Sequence, residues 1–344
     1  MIANVHHTED PDGIIAGALL NRYQDSRILS DPKELHLQLK SLAPASLQMG
    51  IRYDSLVESF SSLLENVQRY GGISQIYVAD INPNPRLMQS GLIEKLAQST
   101  EIFWIDHHTG TEQQQEYFSQ LGIQVTYDAS KCASLLLARK FNMTDTYEQR
   151  LAKIAQLHDY RDKEVDSPEA KLGVELEKII CLANAREDTF TRTQLMDDLR
   201  RGYCFSKETL LLLPHWQQNI QEYDQEKNKA IQELEKSIES VTVGKYQILI
   251  ARAPALLSQK PAIWYLKQKD PDVLLCFFQP PCRNHIMDKR KNIPLDIPAL
   301  CTGFGGGGRG TGGGFAIAEN MTPELYVRLK EEVLQKIKEQ LCKK

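Results

Sequence analysis

No stretch of the sequence approaches the roughly 18 uninterrupted apolar residues that a membrane span needs, and Met1 to His7 carries no basic cluster ahead of an apolar run. Neither membrane spanning nor export is expected, and a cytoplasmic protein without a membrane partner follows by default. Positive charge is not in excess: 41 Lys plus Arg stand against 45 Asp plus Glu, for a net charge of -4. A global field able to hold long duplex DNA is therefore excluded, and an anionic partner must be gripped locally. Cysteine is sparse and odd in number. The seven, Cys132, Cys181, Cys204, Cys276, Cys282, Cys301 and Cys342, never form a C-x-x-C pair, which argues against a disulfide framework or a zinc ribbon. A glycine-rich run is present, but without the Lys and Ser/Thr of a Walker loop, so a P-loop NTPase is not expected.

What is there suffices for two hydrophobic cores: 344 residues, 42% of them hydrophobic. Up to residue 165, β-like runs (Ile2 to Val5, Ile76 to Ala79, Ile102 to Ile105, Ile123 to Tyr127) alternate with amphipathic stretches such as Ile14 to Tyr23. This predicts an α/β domain with a mainly parallel sheet and flanking helices over 1–165. Residues 166–240 read as a helical connector, with Ile220, Tyr223, Ile231, Leu234 and Ile238 at helical spacing. A second, smaller α/β domain is expected over 241–344, with strands at Tyr246 to Ala251, Val273 to Phe278 and Phe315 to Ala318. Its last helix should start at a Thr322 N-cap with Pro323 in the first position, and carry Leu325, Leu329, Val333 and Ile337 on one face.

Chemistry-bearing residues recur at the ends of these elements. After the first strand comes His6-His7-Thr8-Glu9-Asp10-Pro11-Asp12-Gly13; a second strand ends in Asp80, a third in Asp106-His107-His108, and a helix in His158-Asp159-Tyr160. A lone Asp at a strand end is more often a helix cap than a ligand. Recurrence at several carboxyl ends of one sheet favours ligands instead, and their number suits two divalent cations sharing a carboxylate. Trp104 reads as core, and a Cys132 nucleophile has no evident general base beside it.

The triplet Asp106-His107-His108 resembles the signature of the DHH phosphoesterases, and the resemblance extends over nearly the whole chain. Gly303-Phe304-Gly305-Gly306-Gly307-Gly308-Arg309-Gly310-Thr311-Gly312-Gly313-Gly314-Phe315 is similar to the glycine run of the DHH-associated domain. Leu157-His158-Asp159-Tyr160 and the long helical middle are most similar to the oligoribonuclease B (NrnB-like) branch. The resemblance implies that His7, Asp10 and Asp12 match the first metal motif, Asp80 the second, His107 the third and Asp159 the fourth. Asp80 would bridge two cations, Mn(II) foremost with Mg(II) as the alternative. Asp10 with the histidine would complete one site, and Asp12, His107 and Asp159 the other. Asp106 would orient the imidazoles and His108 would face the scissile phosphate. The implied activity is two-metal hydrolysis of short oligonucleotides to mononucleotides.

Two departures from the family pattern stand out. Thr8 occupies the usual position of the first-motif histidine: a bulge at the strand end would present His7 or His6 in its place, with His7 expected inward and His6 on the opposite face, and otherwise the first cation has lost a ligand and binds more weakly. Arg309 stands where the family has histidine, and an arginine can fork two hydrogen bonds onto a phosphate. Gly306, Gly307 and Gly308 would let backbone N–H groups approach the substrate closely, and Arg283 adds local positive charge. Cyclic mono- or dinucleotides, adenosine 3',5'-bisphosphate and single-stranded DNA are alternative substrates, and a nucleotide sensor without turnover is the alternative from another class. A homodimer is compatible with the sequence, although no apolar stripe singles one out.

Overall fold

Alternation along short strands decides how the N-terminal half is layered. In the computed structural model, which describes residues 1–28, 46–70, 72–160, 166–206, 208–257, 259–279, 284–304, 306–317 and 321–342, the chain divides into two units. The first comprises Met1–Ala183 with Asp188–Ile220, the second Asn184–Glu187 with Gln221–Lys344. The division therefore falls inside helix Pro214–Lys236, and helices Pro168–Ala185 and Thr189–Arg201 belong mainly to the first unit.

In the first unit β1 (Ile2–His7), β2 (Ser46–Ile51), β3 (Gln75–Ala79), β4 (Glu101–Asp106) and β5 (Gln124–Tyr127) form a parallel sheet in the order β2-β1-β3-β4-β5. Successive side chains point to opposite faces. Ala3, Val5, Ile76, Val78, Ile102 and Trp104 accordingly enter one apolar layer with Phe60 and Phe118. Tyr77, Ala79 and Ile105 meet Ala16, Leu20 and Leu137 on the other face. Trp104 is core, its indole N–H donating to the Ile81 carbonyl at 3.0 Å. Helix Pro11–Ile28 is buried along nearly its whole length, because Ile14, Ile15 and Leu19 pack in one cluster with Leu151, Ile154, Leu195 and Leu199 from helices Thr146–Tyr160 and Thr189–Arg201. Two fully buried arginines lie among these helices. Arg22 pairs with Glu148 at 3.3 Å and donates to the Arg200 carbonyl at 2.6 Å, and Arg200 pairs with Asp25 at 2.6 Å.

The second unit holds a mixed sheet of β6 (Glu239–Val243), β7 (Tyr246–Ala253), β8 (Val273–Phe278), β9 (Asn284–Lys289), β10 (Gly307–Arg309) and β11 (Gly312–Ala316), in the order β10-β11-β9-β8-β7-β6. Neighbours are antiparallel except β7 and β8. Helix Pro323–Leu341 begins as expected, the Thr322 hydroxyl accepting the Leu325 N–H at 3.2 Å. It buries Leu329, Val333 and Ile337 against this sheet, while Leu325 is only half-buried. The last strand begins earlier than expected, at Gly312 rather than Phe315, because the glycines themselves pair with β9 and β10. Among the described residues no helix is long and apolar enough to cross a membrane.

Candidate metal centre

Strand register brings the polar ends together. His6 pairs with Ala79 and Ala79 with Ile105, so His7, Asp80 and Asp106 follow one another along the carboxyl edge of β1, β3 and β4. Pairing of β1 with β2 is regular through His7, so the expected bulge is absent and simple alternation selects the histidine. His6 faces helix Pro11–Ile28, its ring against Gly17. His7 faces the strand ends. Asp80 leaves the sheet with φ at 58°, a conformation Asp tolerates better than most residues. Its N–H still donates to the Ile105 carbonyl at 3.1 Å. The helix that follows β1 can start close against it because residue 13 is glycine: a Cβ there would lie 2.3 Å from the His7 carbonyl oxygen.

Two groups of side chains among the described residues could each converge on one ion: His7, Asp10 and Asp80, and Asp80, Asp106, His107 and His108. Asp80 belongs to both. His7 Nδ1 lies 3.3 Å from Asp10 Oδ2 and 3.5 Å from Asp80 Oδ2. On the other side His107 Nε2 lies 3.4 Å from Asp80 Oδ1, and its Nδ1 lies 3.6 Å from Asp159 Oδ2 and 3.0 Å from the Tyr160 hydroxyl. Asp106 is fully buried and already occupied. It accepts from His108 Nδ1 at 2.7 Å and from the Thr111 hydroxyl at 2.5 Å, which makes it a support for His108 rather than a free ligand.

The charge states follow from this crowding. Burial opposes a charge on His107, yet the neighbouring Asp80, Asp12 and Asp159 raise it to about 9. His7 and His108 are likewise raised against burial, by Asp10, Asp80 and Glu9 in one case and by Asp106 in the other. Asp106 is held below the usual carboxylate range although it is buried, through its bonds to His108 and Thr111. Burial, then the charge of Asp80, pushes Asp12 up to about 7.

Asp12 has a second commitment that its position in the motif does not reveal. Its carboxylate accepts the N–H groups of Ala133 and Ser134 at 2.8 and 2.9 Å, at the start of helix Ala133–Lys140. A helix N-terminus favours an anion in that place. Asp12 and Asp159, both expected as ligands, stand in neither convergent group. Glu9, Arg52 and Tyr53 are the neighbours that the sequence reading passes over. The Tyr53 ring packs on His7 with centroids 4.7 Å apart and approaches His108 at 6.4 Å.

In the second unit Gly307, Gly308 and Arg309 form β10, paired with Gly314, Gly313 and Gly312 of β11, and the Gly306 N–H donates to the Cys301 carbonyl at 2.9 Å. The glycine run is thus a hairpin packed on Cys301, not a solvated linker. Arg283 lies outside the described residues, and of Arg309 only the backbone is described.

The residues fit divalent cations on an observation internal to the site. His7 Nδ1 and Asp80 Oδ2 are buried and make no hydrogen bond, although a buried polar atom left so costs about 1–3 kcal/mol. Both point into the same small space as Asp10, and a cation there would satisfy them. The donors are imidazole and carboxylate without thiolate, a set suited to Mn(II) or Mg(II).

No family model and no curated protein matches the chain. Solved structures do. A DHH domain described as from a member of the s1p family of ribosomal proteins is 14% identical, with 99% of this chain and 86% of that one covered at a TM-score of 0.63. A pGpG-specific phosphodiesterase, PggH from Vibrio cholerae, is 13% identical over 99% of this chain and 100% of that one, at a TM-score of 0.50. At such identities the likeness is one of fold.

Proposed function

We propose that the chain is a metal-dependent phosphoesterase of the DHH type, hydrolysing short oligonucleotides to mononucleotides. The observation that carries this reading is the place of Asp80. It is a buried carboxylate with His7, itself beside Asp10, toward one oxygen and His107 toward the other, the placement expected of a carboxylate that would serve two cations. Two ions held there, Mn(II) foremost, would polarise the phosphoryl oxygens and stabilise the leaving oxygen. His7, Asp10 and Asp80 would hold one, and Asp80 with His107 Nε2 the other, Asp159 lying on the Nδ1 side of that ring.

The chain's own part is to place a proton and exclude competing geometries. Asp106 accepts the Nδ1–H of His108, so the ring cannot turn and its Nε2 is left for the substrate. A charged His108, favoured by Asp106, donates from Nε2 to a phosphoryl oxygen of the bound ester. The substrate class is supported by the acidic balance of the chain, which disfavours a long polymer, and by the fold shared with a phosphodiesterase named for pGpG. The open backbone at Gly307, with nothing within 4 Å of a Cβ built there, is the proposed nucleotide contact in the second unit.

The test is hydrolysis of 5'-phosphorylated diadenylate in Mn(II), with chelator and Mg(II) arms. Mononucleotide should appear in the wild type and fall more than about a hundredfold in Asp80→Ala, as expected for loss of a ligand rather than of its support. A folded, Mn(II)-loaded wild type that releases nothing would overturn the oligonucleotide reading.

A further inference from the structure

The displaced histidine raises a question of orientation. In place of the usual histidine stands Thr8, whose N–H and hydroxyl both donate to the Ile51 carbonyl, at 3.0 and 3.2 Å. It extends the pairing with β2 and is turned away from the cluster. His7 takes over, and either of its ring nitrogens could face Asp80. Glu9 Oε2 lies 3.2 Å from His7 Nε2. The same carboxylate is held by the Tyr53 N–H at 3.4 Å and by Arg52 Nε at 3.5 Å. Glu9 belongs to neither convergent ligand group. With Nε2–H donated to Glu9, the nitrogen left toward Asp10 and Asp80 is Nδ1, the buried atom without a hydrogen bond.

We propose that Glu9 is the positioning residue of the first cation site: it holds the proton on His7 Nε2 and so presents Nδ1 as a lone-pair ligand. A carboxylate behind a ligating histidine fixes both tautomer and ring angle. The Tyr53 ring packs against the same imidazole, with centroids 4.7 Å apart. This inference rests on the metal-centre reading above, and its test separates the two.

Mn(II) binding to the full chain is measured by calorimetry for the wild type, Glu9→Ala, Glu9→Gln and Asp80→Ala. Two sites are expected in the wild type. Glu9→Ala should weaken one of them by about ten- to hundredfold and spare the other. Glu9→Gln, whose amide oxygen still accepts the Nε2–H, should recover most of the loss. Selective 15N-histidine spectra of the Zn(II)-loaded wild type should show His7 protonated at Nε2, a readout independent of any loss of stability in the variants. Wild-type binding of two ions with Glu9→Ala equally tight, or a His7 protonated at Nδ1, overturns the inference alone. A wild type that binds no Mn(II) overturns the metal centre and this inference with it.

Discussion

Asp106 gives its oxygens to His108 and Thr111, so its contribution is made through its neighbours. Asp106→Asn keeps the size and loses the charge. The measured kcat should fall about ten- to hundredfold with KM changed much less, since the amide oxygen still accepts the His108 Nδ1–H but the charge that favours a protonated His108 is gone, while the Asp80 bridge remains. An unchanged kcat would remove His108 from the proton-placing role. Gly13→Ala tests the close approach of helix and strand: with a Cβ 2.3 Å from the His7 carbonyl, the backbone must move. A loss of about 1–3 kcal/mol in thermal unfolding is expected, together with weaker Mn(II) binding. Most of the centre is legible at this level. His7, Asp80, Asp106 and His107 are polar residues that end apolar runs, and that interruption is visible in the sequence. Glu9 and Tyr53 are not, because Glu9 lies in the bend after β1 and Tyr53 opens the short 3-10 helix Tyr53–Ser55, places where acids and tyrosines are unremarkable. The second role of Asp12 depends on Ala133 and Ser134, far along the chain, and no local pattern points to it.

A strand buried on both faces is legible as a continuous apolar run, while half-buried strands are legible only in part: β5 is expected although none of its residues is buried, and β2 and β9 are not. Every residue of β8 is buried, and its continuous run Val273–Phe278 stands out. In β2 only Ile51 is buried, since this strand edges its sheet. In β9 the run Asn284–Lys289 is mostly polar. The glycine hairpin is the element whose appearance misleads most, as its packing is backbone against backbone. A Cβ at Gly306 would lie 2.1 Å from the Gly314 carbonyl oxygen, and one at Gly313 would lie 2.7 Å from Cys301 Sγ, whereas Gly307 is open. Gly306→Ala and Gly313→Ala should therefore lower the melting temperature, and Gly307→Ala should leave it unchanged while weakening nucleotide binding. Equal melting temperatures for all three would contradict the packing described. On β9, His285 is buried between Phe277 and Phe315 and accepts the Phe278 N–H at 3.2 Å. Burial lowers its pKa to about 4. The unfolded chain therefore takes up this proton first, so the stability it represents is present above about pH 6.5 and is lost as pH falls toward 4, amounting to roughly 3 kcal/mol in full. Melts between pH 7.5 and 4.5 should show that slope in the wild type and a flatter one in His285→Asn.

The division into two units, each with its own sheet and core, has a measurable counterpart. The residues proposed to hold the cations all lie in the first unit. Mn(II) at a hundred times its Kd stabilises the form that binds it by about 2.7 kcal/mol, or roughly 5–10 °C for a domain of this size. Calorimetric unfolding should therefore move one transition and leave the other in place; movement of both by the same amount would mean the units melt as one. The order β2-β1-β3-β4-β5 also explains why the cluster gathers where it does. The chain winds outward from β1 in one direction to reach β2, and from β3 in the other to reach β4 and β5. Neighbouring connections thus leave β1 and β3 on opposite sides of the sheet, and a topological switch point opens between them. His7 and Asp80 are the residues at its two lips. The location of the centre is thereby a property of the winding, set before any ligand residue is chosen, and side chains only decide what the opening holds.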